Sequence, residues 1–323
     1  LMTLPPLLIA AVYRADLLGY WWVVLFGVLM ASVQALSDPA RQSMLSRVTR
    51  LDTQRAVTIM TIFTSLVGLG GFYLGGHLDE LGLETVLILQ STMFFLGLFA
   101  VLRLPSLPMA ADSVGRPRLS AGFRALWRAP LVRNVVSLNF LSSLFNAGAY
   151  IVAIPYIVKE VYGGDAAFFA KVMIIFTTGS VGSNLLLLTF MPLKWPGRLF
   201  LFMQLTRVVI LLVLFSQPSL WLFYAAIFAW GLNMGVTTTM VRTTVQELAD
   251  PRHRAQILSI LLVSFMVSAP ISSLLLGFLI EWTSPLSALL PGIGVSFVIF
   301  VVGMARSGLW QYQSSPPHPA PNV

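Results

Sequence analysis

Residues 197–216 read GRLFLFMQLTRVVILLVLFS, and after Gln217 and Pro218 a second apolar run follows at 219–241, SLWLFYAAIFAWGLNMGVTTTMV. The hydrocarbon core of a bilayer is about 30 Å thick and needs roughly 20 mostly apolar residues of helix per crossing. Each run is long enough, and the two residues between them suffice only for a tight turn. The pair therefore reads as two antiparallel membrane helices. Outward from it the pattern recurs at 1–13 (short), 18–38, 56–76, 84–103, 134–157, 166–190, 255–280 and 286–308. Ten apolar stretches predict an all-α polytopic membrane protein.

The connections alternate in charge. One set carries Arg41, Arg47, Arg50 and Arg55, then Arg103, Arg116, Arg118, Arg124, Arg128 and Arg133. It continues with Lys194, Arg198, Arg242, Arg252, Arg254 and Arg306, in all 16 of the 20 basic residues. The other set has Arg14, Lys159 and Lys171 but also Asp16, Asp79, Glu80, Glu84, Glu160, Asp165 and Glu281. Basic residues in short loops are retained in the cytoplasm. The first set and the C-terminus are thus expected inside.

Composition narrows the function classes. Hydrophobic residues make up 57% and charged residues 10% of the chain, against about 25% charged in soluble domains. The net charge of +8 sits beside membrane spans, where it sets topology and meets anionic headgroups, so nucleic acid is not the expected partner. The chain has no cysteine, and its histidines, His77, His253 and His318, are scattered. No metal or other cofactor is expected, and no G-x-S-x-G, paired intramembrane carboxylate or Walker A loop points to an enzyme.

Four spans, the first partial, precede the longest connection, Leu104–Val132, and six follow. The expected organisation is an incomplete N-terminal helical half at 1–103, a cytoplasmic linker at 104–132, a six-helix half at 133–308 and a disordered tail at 309–323. Within the linker, Leu119, Phe123, Leu126 and Trp127 can share one face of a helix, with Arg124 and Arg128 pointing away. Such basic amphipathic helices lie along headgroups, although a plain linker helix fits as well. The stretch from Gly27 through Asp38, Arg41 and Arg55 to Gly75 parallels that from Gly231 through Arg242 and Arg254 to Gly277, offset by about 200 residues. Parallel six-span halves are a standard construction of secondary transporters. Matching the halves leaves the first short of two spans and most of a third, and six plus six is the architecture expected of a complete protein.

These residues resemble a family. Ser37-Asp38-Pro39-Ala40-Arg41-Gln42, with Leu45 and the basic loop behind it, is similar to the fourth-to-fifth-span connection of major facilitator superfamily exporters. Gly231-Leu232-Asn233-Met234 through Thr243-Thr244-Val245-Gln246, then Pro251, Arg254 and Ala255, is similar to the tenth-to-eleventh-span region of the branch with bacterial enterobactin exporters and macrolide efflux proteins. Leu119-Ser120-Ala121-Gly122-Phe123-Arg124 resembles that branch's linker before span seven. The resemblance is diffuse and covers nearly the whole chain. It departs in three places. The superfamily's Gly-x-Leu-Ala-Asp-Arg-x-Gly-Arg motif would precede Leu1. Its second copy is reduced to Gly197-Arg198, with Lys194 where an acid is expected. The exporters' Gly-Pro-x-x-Gly-Gly element reads Gly71-Phe72-Tyr73-Leu74-Gly75-Gly76, without the proline.

Polar side chains fall into helical stripes. Asn139, Ser142, Ser143, Asn146 and Tyr150 lie near one face, as do Thr177, Ser180 and Asn184, and Asn233, Thr237 and Thr244. Further stripes are Gln34 with Asp38 and Arg41, Thr58 with Thr61 and Ser65, and Ser264 with Ser268 and Ser272. The resemblance implies that these helices line a central cavity. The expected substrate-cavity residues are Gln34, Asn139, Asn146, Tyr150, Asn184, Asn233 and Thr237. The bland alternative is that the same side chains only join helices, at about 0.6 kcal/mol per contact.

Asp38, Arg41, Arg242 and Arg254 are expected at a cytoplasmic gate, against topology signalling as the simpler role. Arg207 lies deep in its span, where an ionisable side chain is a functional candidate by default; snorkelling or a carbonyl partner is the expected outcome. No Asp or Glu lies deep in any span. The functional expectation is a monomeric secondary active transporter in the lipid bilayer, working by alternating access. It would export a small amphipathic molecule, a siderophore or drug-like compound, coupled to protons. Import of a small nutrient and a non-transporting membrane fragment are the alternatives.

Overall fold

The computed structural model describes residues 2–48, 53–103, 119–191, 193–250 and 253–314. They form α1 (Leu4–Arg14), α2 (Tyr20–Val48), α3 (Thr53–Gly76), α4 (Leu83–Leu102), the linker helix α5 (Leu119–Arg128), α6 (Pro130–Val161), α7 (Ala166–Phe190), α8 (Pro196–Phe215), α9 (Leu220–Leu248), α10 (Arg254–Trp282) and α11 (Leu290–Arg306). Among the described residues, eight helices are long and apolar enough to cross a bilayer, with Leu4–Arg14 and Tyr20–Gln34 as shorter apolar segments. A helix is the open-ended way to satisfy every backbone N–H and C=O inside its own segment in lipid.

Local signals set several helix ends. Pro130 and Pro196 occupy the first turns of α6 and α8, where a missing N–H costs nothing. The Asp165 carboxylate caps α7 by accepting from Phe168 N at 2.8 Å. Gly163, at φ 62°, takes the left-handed conformation that ends α6. The sequence places a span at 134–157, but the helix runs from 130 to 161 and contains wide π turns at Ala149–Ala153 and Ile157–Val161. Arg133, Lys159 and Glu160 lie inside it, because a charged residue near a helix end reaches water without breaking the backbone ladder.

The chain divides into two compact units, one of Leu1–Arg50 with Tyr73–Arg116, the other of Leu51–Phe72 with Pro117–Val323. In the first, α1 packs on α4 around Ile9, Ala10 and Leu87. Ser91 Oγ donates to Thr3 O at 3.1 Å, and Arg14 pairs with Glu84 at 2.6 Å.

The second unit holds two apolar clusters. One contains Ala149, Phe176, Leu211, Trp230, Leu276 and Leu289; the other contains Val136, Leu187, Leu201, Met240, Leu261 and Ile299. Each of α6 to α11 has buried polar residues between the two clusters: Ser142 and Asn146, Ser183 and Asn184, Gln204 and Arg207, Asn233 and Thr237, Ser268 and Ser272, and Ser296; on α9, Thr243 and Thr244 are buried within the second cluster's stretch. A polar layer is thus sandwiched across the helices.

α7 and α9 approach at backbone distance. A Cβ at Gly231 would strike the Phe176 carbonyl oxygen, and one at Gly179 the Phe228 carbonyl oxygen. Gly231 and Gly235 are four apart, as are Gly179 and Ser183, the small-residue spacing that brings membrane helices together.

At the opposite end of α11 from its start, the chain turns at Gly308 and folds back. Leu309 is buried, Asn134 Nδ2 donates to Ser307 O at 3.0 Å, and Arg198 Nε donates to Trp310 O at 2.6 Å. The Arg198 guanidinium lies over the Trp195 ring at 3.7 Å and near the Trp310 ring at 5.3 Å. Tyr312 and Ser314 hydroxyls donate to Glu247 Oε2 at 2.9 and 2.8 Å. The tail expected to be unstructured from 309 is therefore a packed strap through Ser314, because its few apolar groups meet a ready surface. Residues 315–323 lie outside the described residues.

Candidate functional site

The polar layer is built around Arg207, which is 2% exposed. Its Nε and Nη2 donate to Asn233 Oδ1 at 3.0 and 2.8 Å, Nη2 also to Thr237 Oγ1 at 3.1 Å, and Nη1 to Ser142 Oγ at 2.9 Å. Among the described residues no carboxylate pairs with it. A bare charge in hydrocarbon is costly; several charge-assisted bonds to oriented oxygens offset that cost.

The acceptors are themselves held. Asn233 Nδ2 donates to Met203 O and to Thr206 Oγ1, the latter at 2.9 Å, which fixes Oδ1 toward the guanidinium. Thr237 Oγ1 donates to Asn233 O at 2.8 Å. Ser142 Oγ faces Gln204 Oε1 at 3.4 Å, and Asn146 Nδ2 donates to Ser142 O at 2.9 Å and Ser296 Oγ at 3.4 Å. Four helices, α6, α8, α9 and α11, are tied by one connected set. Asn146 Oδ1 and Gln204 Nε2 are buried without protein partners.

Two smaller sets flank it. Thr239 Oγ1 donates to Asn184 Oδ1 at 2.6 Å, and Asn184 Nδ2 to Ser180 O at 2.8 Å, between α9 and α7. Gly148 N donates to Ser272 Oγ at 2.7 Å, just where the first π turn of α6 begins. Such turns concentrate at functional positions. One step along, half-buried Tyr150 lies 4.6 Å from the Phe176 ring and 6.4 Å from the Trp230 ring.

Of the residues singled out in the sequence, Asn146, Asn233 and Thr237 come together around Arg207, while Asn184 joins a neighbouring set. All four are buried in helix contacts and bond to neighbouring protein groups. Asn139 and Tyr150 are half-buried and Gln34 is exposed. Arg242 and Arg254 are half-buried; the side chains of Asp38 and Arg41 lie outside the described residues. Arg207 does not snorkel: its partners are the side-chain amide carbonyl of Asn233 and the hydroxyls of Thr237 and Ser142, on α9 and α6. Gln204 was missed, although its place one turn before Arg207 in an apolar span is a signal for a shared polar face. Neutral amides, hydroxyls and a guanidinium can orient and recognise, and this set contains no nucleophile paired with a base.

No curated protein matches the chain. In structure it is similar to the fucose:proton symporter of E. coli, with a TM-score of 0.64 and 15% identity over 94% of this chain and 81% of that one. It is also similar to a bacterial homolog of the human lysosomal transporter Spinster in an inward-facing, unoccupied conformation, with a TM-score of 0.57 and 16% identity over 98% of this chain and 84% of that one. At such identities the likeness establishes the fold. The sequence profile of the Major Facilitator Superfamily matches residues 136–322, more than half of the chain and all of the Arg207 layer. The chain belongs to the Major Facilitator Superfamily of membrane transporters.

Proposed function

We propose that this transporter works by alternating access and exports a small amphipathic compound, siderophore-like or drug-like, against an inward flow of protons across a bacterial cytoplasmic membrane. The observation that carries the reading is the wall of the second unit. Half-buried Tyr150 packs with the buried rings of Phe176 and Trp230 in an aromatic patch, and most of the deep polar groups beside it bond to one another. A patch of that kind binds apolar rings and adapts to their shape, with half-buried Asn139 and Tyr150 as the polar handles. The E. coli fucose symporter is by its name proton-coupled, and protons are the coupling ion proposed here. The gate is assigned to Asp38, Arg41, Arg242 and Arg254, and the cytoplasmic side to the basic loops and C-terminus.

The test uses inverted vesicles loaded with the full chain and a lipophilic fluorescent cation outside. An imposed interior-acid pH gradient should drive dye uptake, collapse of the gradient should abolish it, and Tyr150→Ala should lower it about tenfold, as expected for losing about 1.4 kcal/mol of ring contact. Dye movement indifferent to the gradient removes the proton coupling. Gradient-driven movement of small sugars or acids in the opposite sense, with no dye transport, replaces export by import. Near-normal turnover in Arg41→Ala combined with Arg242→Ala removes the gate assignment.

A further inference from the structure

The linker helix α5 has two distinct faces. Its sequence lets Leu119, Phe123, Leu126 and Trp127 share one of them, with Arg124 and Arg128 pointing away. In the structure Leu126 is buried while Phe123 is 50% and Trp127 65% exposed. The covered face is instead set by Gly122: a Cβ there would lie 2.8 Å from Gln256 Cβ and 3.4 Å from Ile260 Cδ1, so the backbone of α5 rests directly on the first turns of α10. This leaves the two largest rings of the helix turned away from the protein.

The open face is cationic as well as aromatic. Arg124 and Arg128 are exposed, and the Arg133 guanidinium sits 5.4 Å from the Trp127 ring centroid. No carboxylate occurs in α5, LSAGFRALWR, or in the stretch of α10 it packs against, Arg254–Ile260. α6 begins at Pro130, directly after α5, so the helix is held at the end of a membrane-spanning segment. Exposed rings flanked by arginines, on a helix and a supporting turn that carry no carboxylate, match one surface at that level, the boundary where phospholipid phosphates meet acyl chains.

We infer that α5 is a docking surface for anionic phospholipid headgroups. Phe123 and Trp127 enter the boundary beneath the headgroups, Arg124, Arg128 and Arg133 take the phosphates, and the Gly122 contact passes the position of α5 to the start of α10. This surface is independent of which substrate the transporter carries or in which direction.

The absence of cysteine allows a single nitroxide label at Phe123→Cys, with Trp127 intact, on the full chain in vesicles. Its depth is read from collisions with oxygen against a water-soluble nickel reagent. In phosphatidylcholine alone the label is expected largely in water, and adding phosphatidylglycerol should move it toward oxygen. Arg124→Gln with Arg128→Gln should cut the bound fraction's equilibrium constant about 25-fold, at about fivefold per arginine, whereas Arg124→Lys with Arg128→Lys should retain it. Monodisperse elution of each variant confirms that folding is intact. A label that stays in water with phosphatidylglycerol overturns the proposal. So does equal depth with and without the two arginines, which would leave apolar anchoring alone. A shift reproduced by inorganic phosphate with phosphatidylcholine vesicles would mean a free-anion site and equally overturns it.

Discussion

Replacing Asn233 with leucine should harm this protein more than removing the charge that Asn233 serves. Asn233 Oδ1 accepts two of the four side-chain bonds described for the Arg207 guanidinium. Hydrogen bonds to a charged group contribute about 1.5–3 kcal/mol each, so Asn233→Leu should cost about 3–5 kcal/mol, the range for stranding one member of a buried charged pair. Arg207→Met removes the charge instead. Asn233 then keeps its Nδ2 bonds to Met203 and Thr206, and only its Oδ1 is orphaned, at about 1–3 kcal/mol. Relief from holding a cation at mid-membrane returns about 2.5–3.5 kcal/mol, so the net change should be near zero. The double variant should resemble Arg207→Met, giving a coupling of at least about 2 kcal/mol, well above the 0.6 kcal/mol or so typical of neutral interhelical bonds. Reversible unfolding in mixed micelles with increasing denaturing detergent measures all three. Equal damage from the two single changes, or additive damage in the double variant, would refute the account of Arg207 as a charge held by neutral oxygens.

Other outcomes follow from contacts described above. Gly231→Ala must push α7 and α9 apart and should cost about 1–3 kcal/mol, seen as lower monodisperse yield, while Gly277→Ala, with nothing within 4 Å, should behave as the parent. Arg198→Lys loses the planar stack between Trp195 and Trp310, about 0.5–1 kcal/mol, and should speed chymotrypsin cleavage at Leu309–Tyr312; unchanged cleavage would show that the strap is held elsewhere. Burial, and then the Glu247 carboxylate, push the Tyr312 phenol up. A raised folded value means the contribution is complete below the ordinary value of about 10 and is lost only as pH rises through the folded one. Strap protection against chymotrypsin should therefore be level between about pH 7 and pH 9, and a decline within that window would contradict the neutral phenol.

Spans were legible because lipid imposes a one-dimensional demand, some twenty apolar residues in a row, that any reading of the chain can find. The stripes through Asn146, Asn233 and Thr237 were legible for the same reason: an amide inside such a run needs a partner. The partner itself was not. Whether Arg207 meets a carbonyl, a headgroup or Asn233 depends on how α8 is rotated against α9, and no local spacing encodes that rotation. The two-faced character of α5 was legible in its sequence, but its seat on α10 was not, because the decisive contact is made by Gly122, which carries no side chain. The strap at 309–314 was invisible for a related reason, since its hold comes from Arg198, Glu247 and Asn134, all far away in sequence.

The sandwich of one polar layer between two apolar clusters has a mechanical consequence. Sliding α8 along α9 by one helical turn, about 5.4 Å, would withdraw the guanidinium of Arg207 from Asn233 and drive it toward Trp230 and Ile227 or toward Met240 and Val241. The same slip on α6 would carry Asn146 away from Ser296. The layer therefore pins the helices in axial register, as a row of dowels does, while leaving rotation of the whole group unopposed. Helices joined in this way cannot ratchet past one another one at a time; they must tilt together or bend where the pins are absent, as at the π turns of α6.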